Sequence, residues 1–280
     1  MNPVVAVVAP GMMGAAVGGR LAAHGLKVLT SLTGRSAETV ARAKSAGLAA
    51  ADEEIAAADF ILSILPPGDA VSLAQRFAPA LSASNAKPVF VDCNAVSPQT
   101  AERVAAVVGP TGSPFVDAGI IGSPPPKDGK GPRFYASGAH APRFAELKNF
   151  GLDVRVLSGP LTAASAMKMS YAGITKGFTA LGCMMMLAAA RGGVAEGLRT
   201  ELERSQPALL PWLQRQIPAM YPKAYRFVGE MEEISDYVGE DVSAQEMFDA
   251  FADFYTRLAA DYEGNQAEVG ALATFLKPKQ

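Results

Sequence analysis

The chain is poor in the residues from which metal sites, disulfide frameworks and nucleophilic triads are built. Its 280 residues include two cysteines, Cys93 and Cys183, and two histidines, His24 and His140. So few cysteines support no disulfide framework and suit a reducing compartment. Neither histidine lies near a cysteine or in a metal-spaced cluster, so no metal site is expected. A Ser-His-Asp triad is equally poorly supplied. A surplus of charge is missing too: 25 Lys and Arg stand against 27 Asp and Glu, a net charge of -2. Neutralising a nucleic-acid backbone or an anionic membrane surface needs an excess of basic residues, so neither partner is expected. Long apolar runs are also lacking. The amino-terminal run is short, has no basic leader and is broken by Pro10 and Gly11. The later run 180–190 is too short for a bilayer and ends in Arg191. A soluble, cytoplasmic protein is expected. With 49% hydrophobic residues, the chain can bury the core of one or two domains.

What is present is an alternation. Apolar β-branched runs at 4–8, 27–32, 60–65, 88–92, 114–117, 133–136 and 154–157 read as strands. Amphipathic stretches at 12–24, 36–46, 69–81 and 98–108 read as helices between them. This order predicts a Rossmann-type, doubly wound α/β sheet, parallel and covered on both faces. From residue 161 onward the periodicity is helical throughout, with 161–190 as one long helix and further helices at 196–204, 208–216, 224–237 and 243–262. The break falls at Ser158-Gly159-Pro160. Residues 1–160 are therefore expected to bind a dinucleotide, and 161–280 to form an all-helical domain.

The first turn names the ligand. Val4–Val8 runs into Ala9-Pro10-Gly11-Met12-Met13-Gly14 and then an Ala/Gly-rich helix. In such a turn one glycine lets the backbone approach a pyrophosphate and another lets helix and strand pack closely. Gly11 and Gly14 take those parts, and the N–H groups around Met12 and Met13 face the phosphates. Ala9 stands where the first glycine of the fingerprint belongs, and by itself the segment is equally a plain βα turn. At the end of the second strand, about twenty residues on, NAD-binding folds carry an acid for the ribose hydroxyl. Thr30-Ser31-Leu32-Thr33-Gly34-Arg35-Ser36 holds no carboxylate. Thr33, Arg35 and Ser36 instead suit a 2′-phosphate, with Arg35 giving a charge-assisted contact. NADP is expected rather than NAD.

Four segments in sequence order resemble the β-hydroxyacid dehydrogenase superfamily, which includes 6-phosphogluconate dehydrogenase and the imine reductases. Ala9–Gly14 looks like its glycine turn, and Ile64-Leu65-Pro66-Pro67 like its leucine–proline loop under the cofactor. Val91-Asp92-Cys93-Asn94-Ala95-Val96-Ser97-Pro98 is similar to its signature near the nicotinamide, and Phe115-Val116-Asp117-Ala118-Gly119-Ile120-Ile121-Gly122 to the strand and turn that hold its substrate. The resemblance implies that Leu65, Pro66 and Asn94 line the cofactor and that Ile121, Gly122 and Ser123 meet the substrate. It also implies a homodimer through the helical domain. Lys168, in Ala164-Ser165-Ala166-Met167-Lys168-Met169-Ser170-Tyr171, stands where the family keeps its catalytic lysine. Without the resemblance, a lysine snorkelling from an apolar helix is the simpler reading. With it, a general acid/base is expected: hydride transfer from an alcohol requires loss of the hydroxyl proton. A free lysine, with a pKa of about 10.4, is a poor base at neutral pH, and a desolvated one is better.

The departures are specific. The family's substrate turn reads Ser-Gly-Gly; the matching positions are Ile121, Gly122 and Ser123. Its asparagine one helical turn past the lysine is replaced by Tyr171-Ala172. Tyr171, Thr175 and Lys176 lie near that face and are candidates to supply the lost polar group. These changes suggest a bulkier or less acidic substrate than a small hydroxy acid. The polar loop from Ser123 to Gly131 is either a mobile flap or a surface connection. The function expected is an NADP-dependent oxidoreductase acting on a hydroxyl/carbonyl pair. Imine reduction on the same fold, and a non-catalytic NADP(H) sensor, are the alternatives.

Overall fold

The computed structural model describes residues 2–126 and 131–277. The loop expected after Ser123 falls partly on 127–130, outside the described residues. The chain divides into two compact units, Met1–Met169 and Ser170–Gln280.

The first unit is built on an eight-stranded sheet of order β3-β2-β1-β4-β5-β6-β7-β8. Its strands are β1 (Val4–Val8), β2 (Lys27–Thr30), β3 (Ala49–Ala50), β4 (Phe60–Ser63), β5 (Val89–Asp92), β6 (Phe115–Ile121), β7 (Arg133–Ser137) and β8 (Asp153–Val156). The first six run parallel. β1 is apolar along its length because both of its faces are covered. Val5 and Val7 pack with Val17 and Leu21 of α1 (Met12–Ala23), while Ala6 and Val8 pack with Leu73 and Phe77 of α3 (Ala70–Ala83). That alternation is the period of two that a pleated strand imposes. The helices α2 (Ala37–Ser45) and α4 (Pro98–Val108) complete the crossovers. Ser36 and Ser97 cap α2 and α4 by accepting from the N–H groups of Thr39 and Thr100.

The parallel pattern ends after β6. β7 runs antiparallel to it and β8 parallel to β7. A parallel return needs a crossover of a dozen or more residues; the connection between Ile121 and Arg133 is shorter and carries no helix among its described residues. The short helix α5 (Ala141–Phe144), continued by a 3₁₀ stretch, links β7 to β8. β3 was not expected, since two exposed alanines carry no strand pattern.

α6 (Ala163–Arg191) is a single helix of 29 residues. Its first turns belong to the first unit, so the units divide after Met169 rather than at Gly159-Pro160. In the second unit α6 is followed by α7 (Ala195–Ser205), α8 (Leu209–Met220), α9 (Ala224–Val238), α10 (Val242–Glu263) and α11 (Ala267–Leu276). The glycines inside α6 are sites of close approach. A Cβ on Gly173 would stand 3.2 Å from the Phe248 ring, one on Gly177 3.3 Å from Phe251, and one on Gly182 2.8 Å from Leu213. Phe248, Phe251, Phe254 and Tyr255 of α10 are buried, and aromatic side chains of that size dominate the energetics of a helical core. α6 is long and apolar enough to cross a membrane, with 50% of its most apolar window buried within the protein. The core helix of a soluble protein meets the same description.

Candidate active site

The carboxyl ends of parallel strands are where open α/β sheets bind ligands. The turn after β1 has the form a pyrophosphate needs. Gly11 has no atom within 4 Å of a would-be Cβ, so the backbone is open to an approaching group. Gly11 is also the N-cap of α1 and offers no side-chain cap, and no acid stands in the first turn. The N–H groups at Met12 and Met13, in the first turn, have no carbonyl four residues back within the helix and are free to serve an anion. Gly14 is required by packing: a Cβ there would lie 2.6 Å from the Ala9 carbonyl oxygen. Ala9 adopts φ 64°, the left-handed conformation that the missing glycine would take easily. The departure thus lies in the residue and not in the shape of the turn.

The loops after β4 and β5 are joined by one side chain. Asn94 is buried; its Oδ1 accepts from the Leu65 N–H at 2.6 Å and its Nδ2 donates to Ser63 Oγ at 2.9 Å. Its own N–H donates to Asp92 Oδ1 at 3.1 Å. Leu65, Pro66 and Asn94 are therefore held as one surface at the strand ends. Cys93 beside them is buried, and burial pushes its thiol well above the usual range. It is no nucleophile.

The end of β2 departs from the expectation. Ala50 pairs with Thr30, and the Ala51 N–H donates to the Thr30 oxygen at 3.1 Å. Asp52 is thereby brought alongside Ser31 and Thr33. Its carboxylate accepts from the Ser31 hydroxyl and, at 2.8 Å, from the Thr33 hydroxyl. Ser31, Thr33 and the Leu32 and Thr33 backbone hold Asp52 below the usual carboxylate value. Ser36 is occupied by its capping role: it accepts from the Thr39 N–H at 3.3 Å and donates to Thr39 Oγ1 at 3.1 Å. Of the three residues expected to hold a 2′-phosphate, Arg35 alone has a side chain uncommitted to any described residue. It is exposed, beyond the Gly34 turn at φ 74°. Asp52 was missed because the acid was sought on the second strand, not on its neighbour. No sequence signal marks it, because β3 is two exposed alanines that form a strand only by pairing with β2.

Lys168 meets β6. Asp117 and Gly119 lie on one face of that strand, being two residues apart. Asp117 is fully buried; its Oδ2 accepts from the Ser165 N–H at 2.8 Å and its Oδ1 from the Ser165 hydroxyl at 2.6 Å. Ser137 of β7 donates to the same carboxylate at 3.2 Å and accepts from the Ala164 N–H at 2.8 Å. The first turn of α6 is thus tied to β6 and β7. One turn on, a Cβ on Gly119 would stand 2.8 Å from the Lys168 Cβ. Only glycine permits that approach. Lys168, half-buried, sits against the strand that leads in two residues to Ile121, Gly122 and Ser123. Ile121 is buried, whereas Gly122, at φ 131°, and Ser123 are exposed. A groove of about 630 Å³ borders this turn, lined by Arg20, Arg133, Lys148 and Arg155. Ile121, Gly122 and Ser123 line it as well, whereas Lys168, Asn94 and Gly11 do not.

The remaining candidates lie along α6 in the second unit. Thr175 donates to the Tyr171 carbonyl at 2.9 Å. Lys176 forms an ion pair with Glu230, both largely buried, and lies 3.9 Å from the Phe227 ring centroid. Those two groups are engaged in holding the helical unit together. Ala172 is buried, and Tyr171 is exposed. Tyr171 begins an apolar seam with Ile174, Phe178, Leu181 and Met185, all exposed and spaced three or four residues apart.

Comparison with known proteins agrees with this architecture. The family model described as the NAD binding domain of 6-phosphogluconate dehydrogenase matches residues 4–150. A domain of unknown function matches residues 189–258. An uncharacterised 28.5 kDa protein of Methanothermus fervidus is 26% identical over 184 residues, 65% of this chain and 69% of its own length. A conserved protein of unknown function, its structure described as similar to 3-hydroxyacid dehydrogenases, superposes with a TM-score of 0.71 at 28% identity over 93% of this chain and 98% of its own. Mycobacterium tuberculosis 3-hydroxyisobutyrate dehydrogenase with L-serine superposes with a TM-score of 0.74 at 19% identity, covering 98% of this chain and 99% of its own. That likeness is one of fold.

Proposed function

The chain belongs to the family whose dinucleotide-binding domain is that of 6-phosphogluconate dehydrogenase, and on that footing we propose that it is a nicotinamide-dependent oxidoreductase of a hydroxyl/carbonyl pair, with Lys168 as general acid/base. The observation that carries the reading is the packing of Lys168 on Gly119. It supports a lysine held at the turn where the family keeps its substrate, on the sheet edge that carries the glycine turn and Asn94.

When bound, the nicotinamide nucleotide supplies the hydride or accepts it. The protein does the rest. The open backbone at Gly11 and the N–H groups of Met12 and Met13 seat a pyrophosphate. Leu65, Pro66 and Asn94 form a fixed floor beside it. The Gly122 and Ser123 backbone orients a small-molecule substrate. Lys168 Nζ takes the hydroxyl proton on oxidation and returns it on reduction, a role worth about 10²–10⁴-fold in rate. Ile121 replaces a small polar residue with an apolar one, favouring a substrate with an apolar group there. Tyr171 is the candidate for the lost asparagine, since Thr175 and Lys176 are engaged elsewhere. Arg35 favours a 2′-phosphorylated cofactor and Asp52 opposes one. The apolar seam on α6 supports a homodimer through the helical unit, and we take the protein to be soluble and cytoplasmic, as the soluble dehydrogenase fold suggests.

Turnover of hydroxy acids and alcohols, and of ketones and cyclic imines in the reverse direction, is followed by nicotinamide absorbance with each nucleotide. Turnover of a hydroxyl/carbonyl pair is expected. Nucleotide binding without turnover of any compound, or turnover of imines alone, would count against the proposal.

A further inference from the structure

The end of β2 is where this fold meets the adenosine ribose, and where a 2′-phosphate is accepted or refused. The chain brings its own anion to that place. Asp52 reaches it from β3, its approach fixed by the Ala50–Thr30 pairing and the Ala51 N–H bond to the Thr30 oxygen. Its carboxylate accepts hydrogen bonds from the Ser31 and Thr33 hydroxyls. Those hydroxyls, with the adjoining backbone N–H groups, are the donors that a 2′-phosphate would need from this loop. They already hold a carboxylate.

We infer that Asp52 is the residue that sets cofactor preference, turning the site toward NAD(H) and away from NADP(H). This rests on the dinucleotide reading of the Gly11–Gly14 turn. Two effects act in the same direction. A 2′-phosphate finds the Ser31 and Thr33 hydroxyls occupied, and it adds negative charge beside a fixed one. A ribose hydroxyl brings no charge and meets neither penalty. Asp52 is exposed, so it faces an arriving ligand, and the repulsion is partly screened by salt. Arg35 is the opposing group. It is exposed on a long side chain past the Gly34 turn, and pairing with a phosphate there would cost it conformational freedom. Asp52 is anchored in advance, and Arg35 is not. The ionised state of Asp52 is itself favoured by its four donors.

The test is direct binding. Dissociation constants for NADH and NADPH are measured by calorimetry on the full-length protein, its Asp52→Asn variant and its Asp52→Ser variant, at low and at moderate salt. The native protein is expected to bind NADH about tenfold or more tighter than NADPH. Both variants are expected to gain affinity for NADPH about tenfold, with a smaller change for NADH. The native preference should narrow as salt rises. Equal or tighter binding of NADPH by the native protein overturns the inference and leaves the dinucleotide site standing, as does a ratio that neither variant changes. Binding of neither nucleotide overturns the dinucleotide reading itself, and this inference with it.

Discussion

Replacing Asp117 tests the junction that fixes Lys168. The Ala variant removes a fully buried carboxylate that accepts from the Ser165 N–H, the Ser165 hydroxyl and the Ser137 hydroxyl. Ser137 keeps the Leu161 carbonyl as an acceptor at 2.8 Å. The two Ser165 donors lose theirs, and a buried group without its partner costs about 1–3 kcal/mol. With a term for the space vacated, the loss is about 3–5 kcal/mol. At about 2–4 °C per kcal/mol, Tm should fall by roughly 6–20 °C. The Asn variant keeps the volume and one acceptor oxygen, and should fall by less. It also isolates the charge. Burial is the larger influence on Asp117 and raises its pKa, against the bonds from Ser165 and Ser137 that lower it. The folded protein therefore holds this proton more tightly than the unfolded chain. The stability so contributed is complete below the usual carboxylate value and is lost as pH rises through the raised one. The advantage of native protein over Asp117→Asn should accordingly be larger in mild acid than at neutral pH. Thermal unfolding followed by circular dichroism across that range reads both effects. An Asp117→Ala protein melting within a degree or two of the native one would refute the reasoning.

Other outcomes follow from single contacts. Gly14→Val sets a branched side chain against the Ala9 carbonyl, which a would-be Cβ already approaches to 2.6 Å; nucleotide should no longer raise its melting temperature, and a retained shift would exclude the turn as the phosphate site. Lys176→Met leaves the largely buried Glu230 without its ion-pair partner, so a loss of about 3–5 kcal/mol is expected, partly restored by adding Glu230→Gln. Unchanged stability in the single variant would return Lys176 to the candidates for substrate contact. Ile174→Glu puts a charge in the exposed seam of α6. Sedimentation should find the native protein dimeric and this variant monomeric; a dimeric variant would move the interface elsewhere.

Much of the fold is legible in the sequence because its strands are buried on both faces. Val4–Val8 and Phe60–Leu62 are apolar throughout, as strands of a parallel sheet covered on both faces are. The long helix is legible too, but periodicity does not show that its glycines are points of contact with Phe248, Phe251 and Leu213. The antiparallel turn into β7 was hidden because strand direction depends on the connection and not on the strand. At the site, the glycine turn, Asn94 and Lys168 stand out by motif. The Asp52 contact does not, since it depends on β3, a strand of two alanines that exists only by pairing with β2. Lys176 looked available because periodicity reveals which face a residue shares and not which partner, Glu230, waits on another helix.

The central claim is that Lys168 moves the proton in a nicotinamide-linked reaction. The direct measurement is turnover of the best substrate by Lys168→Ala, made beside the nucleotide-induced rise in its melting temperature. The account predicts a retained nucleotide shift and a rate lower by about 10²–10⁴-fold. A variant that binds nucleotide and turns over at the native rate would contradict it.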